Sequence, residues 1–324
     1  MSGRRGVTRL KVDTWDPEYG MSFEAIDLDP DDATLTARQV ERETWAPIVP
    51  EALPDRLRIG FIDGVRRIDS RLFAEDTSGI APALVGSWAV GVAWADRPPT
   101  IGPVRVGREL VVGGELKHAD LRITIGAAEL EYRSSSVPGS TPIDPIQGLQ
   151  NAMRLAESRL AGDLFATVRP DLFVLDGPLT YFALAGPVVG MIKRQNRPYL
   201  KPDQTPILAA LRLGERTPVF CIGEQRLERF SWYARIGMRR PIDGTMTGIV
   251  RLETWTATGI DFARQLADLT SAALPGFATE WGRDPRAPQN LYPVAQLERE
   301  LHHRLGDKVL IKRAIESALW SDND

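Results

Sequence analysis

The stretch LRIGFIDGVRRIDSR, residues 57–71, runs apolar into an aspartate and a glycine and then turns basic. Farther along, LFVLDG at 172–177 repeats the first half of that pattern. Both read as buried strands that end on Asp-Gly, at Asp63 and at Asp176. A carboxylate at the end of a buried strand is costly unless it is paired, hydrogen-bonded or bound to a cation. The glycine behind it permits a sharp turn or the close approach of a ligand. Asp-Gly is also a hairpin signal, so FIDG can turn LRIGFID back onto RRIDSRLFAED as a partner strand. The competing reading is a divalent metal held between the two aspartates.

Composition narrows the choice of metal. The 324 residues suffice for one large domain, and 43% hydrophobic with 26% charged residues fit an ordinary globular protein. Forty basic against 43 acidic residues leave a net charge of −3. No global basic footprint announces nucleic acid, although a basic groove is compatible with a near-neutral protein. The single Cys221 excludes a disulfide framework and a cysteine-based zinc site. With only His118, His302 and His303 available, any metal is expected on oxygen ligands, which favours magnesium or manganese. The start MSGRRG leads into KVDTWDPEYG instead of an apolar core, and no stretch is apolar for long enough to span a bilayer. The expected location is the cytoplasm.

Along the chain, residues 1–50 read as an arm, with LDPDDATLT leading into a helix over TARQVERETWAPI that Asp31 or Asp32 caps. Strand patterns follow in LRIGFID, RRIDSRLFAED, ALVGSWAVGVAWA, VRVGRELVVGG and LRITIGAAELEYRSSS, joined by short turns as an antiparallel meander. IQGLQNAMRLAESRLAGDLFA is an amphipathic helix with Leu149, Met153, Ala156, Leu160 and Leu164 on one stripe. The strands LFVLDG, VVGMIKR, TPVFCIGE, FSWYARIG and GIVRLETWT come next, and helices over 258–274 and 293–320 close the chain. The pattern predicts a mixed α/β fold, with a core over 51–284 and a C-terminal helical segment over 285–324.

A third carboxylate, Glu157, lies at the edge of the helix's apolar stripe, four residues after Met153 and three before Leu160. It can point across the end of a sheet, or it can stay solvated and pair with Arg154. Asp on the first strand, Glu on the helix after the meander and Asp on the next strand resemble the acidic triad of RNase H-like nucleases. The chain further resembles the NurA family, nuclease partners of HerA-type hexameric DNA translocases. VDTWDPEYG near the start, FIDG, the helix with Glu157, VLDGPL at 174–179, VVGMIKR at 188–194 and YPVAQLERELHH at 292–303 carry the likeness in the family's order.

That resemblance implies an RNase H-like mixed sheet flanked by helices and a homodimer docked on a translocase ring. It also implies a manganese- or magnesium-dependent deoxyribonuclease with two ions on Asp63, Glu157 and Asp176. Lys193 matches the family lysine and would contact the scissile phosphate; Tyr292 matches the tyrosine that opens the last motif. Where the family carries a later histidine, this chain offers Glu298, Glu300, His302 and His303. Arg66, Arg67 and Arg71, together with Arg194 and Arg197 in KRQNRPYLK, are candidate DNA contacts. Equally, Arg67 and Arg71 can form a solvated strand face with Asp69 as counter-ion, and YARIGMRR at 233–240 is a third basic cluster of the same kind, each pairing basic residues with a tyrosine as a single-strand track would. The alternatives to a nuclease are a non-catalytic adaptor on an ATPase ring, or an RNase H-like enzyme acting on RNA or junctions. No GxxxxGK[ST] loop occurs, so any ATPase is a partner.

Overall fold

The computed structural model describes residues 8–13, 37–54, 56–77, 79–179, 186–194, 199–223 and 228–321. Among these residues twelve strands form one mixed sheet. Its centre is a meander of three long strands, β3 (Ile59–Asp76), β4 (Gly79–Trp94) and β5 (Thr100–Val112), paired antiparallel. A hairpin of β6 (Leu121–Ile125) and β7 (Ala128–Ser136) extends one flank. Helix α1 (Ile143–Val168) then carries the chain across to β8 (Leu172–Asp176), parallel to β3, and β9 (Val188–Ile192) pairs parallel to β8. The other flank continues through β12 (Ile249–Trp255), β11 (Arg229–Arg235), β10 (Phe220–Ile222) and β2 (Arg38–Gln39), while β1 (Arg9–Val12) pairs with the far end of β3. Helix α2 (Pro206–Ala210) packs beside β10.

Side-chain alternation along the strands sorts the helices onto two faces. Ile62, Val90, Val92, Phe173 and Leu175 meet the apolar stripe of α1, Met153 through Leu164. On the opposite face Phe61, Val174, Val189 and Met191 meet α3 (Ile260–Ala273), and Val65, Ala89 and Ala93 meet Leu297 and Leu301 of α4 (Tyr292–Arg304) and Leu305 just after it. Helix α5 (Lys308–Ser321), set off by Gly306 at φ +81°, covers Leu72, Ala83, Val85 and Leu110. No helix among the described residues is long and apolar enough to cross a membrane.

Three local expectations give way. FIDG is no hairpin: Asp63 pairs with Gly91 and Gly64 with Val90 inside one uninterrupted 18-residue strand, whose turn comes only after Asp76. Long-range pairing with β4 on one side, and with β8 as far as Ile62 on the other, outweighs the local turn preference of Asp-Gly. LRITIGAAELEYRSSS, read as one strand, is two, reversing at Gly126 with φ +60°. Residues 37–47 are not helical. Arg38 and Gln39 pair with β10, Glu41 is drawn onto Arg216 at 2.8 Å, and Trp45 donates to the Gln204 carbonyl at 2.9 Å. The proposed caps Asp31 and Asp32 lie outside the described residues, as does Arg197.

Candidate metal centre

Strand β8 ends at Asp176 while β3 runs on, so a notch opens beside β3 where its parallel neighbour stops. Ligands of open parallel sheets gather at such carboxyl ends. Asp63 lies at the lip of the notch, on the face covered by α3 and α4, because it alternates with Phe61 and Val65. Asp176 alternates with Val174 and shares that face. Helix α4 brings Glu298 to both: one carboxylate oxygen from each of Asp63, Asp176 and Glu298 lies within 4.8 Å of the others.

Asp63 is the anomalous member. It is 5% exposed, and among the described residues its carboxylate takes no hydrogen bond and no ion pair. Burial raises its pKa well above the ordinary carboxylate value, and Asp176, Glu298 and Glu157 raise it further, while Lys193 opposes them. The neighbouring acids are each held. Lys193 Nζ lies 2.5 Å from Asp176 Oδ2 and donates to Asn290 Oδ1 at 2.7 Å. Arg286 grips both oxygens of Glu298, at 2.6 and 2.5 Å, and also pairs with Asp284, which accepts from Asn290 Nδ2 at 2.6 Å. Gln289 Nε2 bonds the Lys193 carbonyl at 2.8 Å. Residues 284–290 thus brace Lys193 and Glu298 together.

Glu157 reaches the notch from the other face. It is 3% exposed, and a Cβ added at Gly64 would meet its Oε1 at 2.6 Å. Arg154 Nη1 lies 3.0 Å from Glu157 Oε2 and 2.6 Å from the main-chain oxygen of Asp176. The pairing with Arg154 open from sequence therefore exists, in a buried setting. Glu157 stands next to the cluster, and Glu298 completes the trio.

The remaining candidates divide. Tyr292 opens α4 and packs on Phe277, ring centroids 5.6 Å apart. Glu300 pairs with Arg304 at 2.7 Å, and His302 and His303 are exposed in the last turn of α4. Arg66 donates to Gln150 of α1. Arg67 bonds Asp69 at 2.8 Å and the carbonyls of Gly306 and Leu305 at 2.7 and 3.1 Å, so its guanidinium binds the end of α4 and not solvent. A bulge between Ile68 and Ser70 shifts the alternation: Leu72 points to α5 and Arg71 to the other face, so Arg67 and Arg71 do not share one. Arg194 is exposed beside Lys193. Tyr199 is buried under Arg251 at 4.5 Å, and Arg235 is buried with Leu211 and Thr247 carbonyls as acceptors, so neither serves a surface track.

Sequence reasoning left Glu298 among four residues and missed Arg286, Asn290 and Asp284. The signal for Glu298 was present: it adjoins Leu297 and follows Val294 by four, on the edge of the stripe Val294, Leu297, Leu301. Neither a scan against protein-family models nor a search of curated proteins finds a match for this chain.

Proposed function

We propose that the chain is a divalent-metal-dependent nuclease of RNase H-like architecture, working on DNA as a partner of a HerA-type translocase. The observation that carries this reading is the buried Asp63 carboxylate, which has no hydrogen bond or ion pair among the described residues and converges with Asp176 and Glu298. Uncompensated buried carboxylates are unfavourable without a cation, and three hard oxygen donors fit magnesium or manganese. The strand order β5–β4–β3–β8–β9, antiparallel and then parallel with α1 as the crossover, supports the RNase H-like reading.

In this reading Asp63, Asp176 and Glu298 hold the ion. A bound cation supplies Lewis-acid polarisation of a phosphoryl oxygen and an acidified water. Lys193, fixed between Asp176 and Asn290, offers its ammonium to a phosphate oxygen at the notch. Arg286 keeps Glu298 turned inward. The exposed Arg194 is placed to contact the phosphate backbone without reading bases.

The test is cleavage of linear DNA by the purified chain with Mn2+ or Mg2+, alone and with the translocase. Asp63→Asn, Asp176→Asn and Glu298→Gln should each lower the rate by at least ~10²-fold, in line with loss of a principal electrostatic contact. Wild-type protein inert toward DNA with metal and translocase present would refute the nuclease and leave the adaptor reading.

A further inference from the structure

The Asp-Gly pairs at 63–64 and 176–177 end up beneath the same ion pair. Gly64 leaves the space that Glu157 Oε1 fills, since a Cβ there would stand 2.6 Å away. Gly177, at φ +113°, leaves the space for Arg154, whose Nη2 would stand 2.8 Å from an added Cβ. The Arg154 Nη1 bridges both Glu157 oxygens, at 3.4 and 3.0 Å, and the Asp176 main-chain oxygen at 2.6 Å. Side-chain exposure is only 16% for Arg154 and 4% for Glu157. An arginine does not lose its proton in a protein, and expelling one partner of a buried pair strands the other.

We propose that this site is a one-cation centre in which the Arg154 guanidinium occupies the place of a second metal ion. The inference rests on the metal-dependent reading above and departs from the two ions that the family resemblance implies. Glu157 is then a positioning residue that acts through Arg154, and Arg154 supplies a fixed positive charge next to Asp176.

The experiment counts Mn2+ bound by the full chain, by electron paramagnetic resonance of the free ion and by calorimetry. Wild type should bind one ion per chain, and Arg154→Met, which removes the guanidinium from between Glu157 and Asp176, should bind two. Glu157→Gln should keep the single ion with affinity within ~3-fold, whereas Glu298→Gln should weaken it by ~10-fold or more. Two ions on wild type, reduced to one in Glu157→Gln, would overturn the inference and leave the nuclease reading standing. One ion on both wild type and a folded Arg154→Met would also overturn it. No ion on wild type would overturn the metal-dependent reading itself; should Arg154→Met not fold, the wild-type and Glu157→Gln counts decide.

Discussion

Gly64→Ala adds one methyl group to β3 and tests whether Glu157 lies against that strand. The new Cβ would meet Glu157 Oε1 at 2.6 Å and the Met153 and Val90 side chains at 3.0 Å each. Ordinary contact begins at 3.4 Å, so the carboxylate has to retreat by about 0.8 Å. Glu157, Met153 and Val90 are 3%, 4% and 0% exposed, which leaves little room for that retreat. Overpacking of this kind costs about 1–3 kcal/mol. A productive constellation tolerates ~0.5 Å, and a displacement near 1 Å can lower the rate ~10²-fold. Urea unfolding of Gly64→Ala should therefore show a loss of about 1–3 kcal/mol, and metal-dependent cleavage should fall ~10²-fold. Gly276→Ala, whose Cβ would meet nothing within 4 Å, is the control and should stay within ~0.5 kcal/mol of wild type. A Gly64→Ala protein as stable and as active as wild type would refute the placement of Glu157.

The raised pKa of Asp63 makes the metal-free protein pH-sensitive. The folded state holds the Asp63 proton to a pH above its ordinary value of 3.8, so wild type loses stability as pH rises from that value towards the raised one. Asp63→Asn removes the penalty: without metal it should be the more stable protein at pH 8, and Mn2+ should raise the melting temperature of wild type only. Equal pH dependence in the two proteins would contradict the burial of Asp63. Asp69 is fully buried and accepts from Arg67, Ser87 and Tyr132, so Asp69→Ala strands Arg67 and should cost about 3–5 kcal/mol, read by denaturant unfolding. Arg286→Ala releases both oxygens of Glu298 and should weaken Mn2+ binding by ~10-fold in calorimetry; an unchanged affinity would remove the bracing role of residues 284–290.

Several parts of the protein follow from sequence alone. The mixed α/β class, the strands β4 and β5, the apolar stripe of α1 and the strand that ends at Asp176 are all set by local period and composition, which act over a few residues. The two Asp-Gly strand motifs pointed to Asp63 and Asp176, which the fold brings together, whereas Glu157, the glutamate beside the apolar stripe of α1, stands next to the cluster and Glu298 completes it. Tertiary structure decided the rest. Asp63 is mid-strand because β4 pairs along its whole length, a partner no turn propensity can foresee. Glu298 joins Asp63 because α4 packs on Val65 and Ala89 across more than 200 residues of chain. The two glycines are explained only when a carboxylate from α1 and its arginine are seen lying over them. Distance along the chain carries no information about such contacts; burial of the helices on a twisted sheet does, and it exists only once the chain is folded.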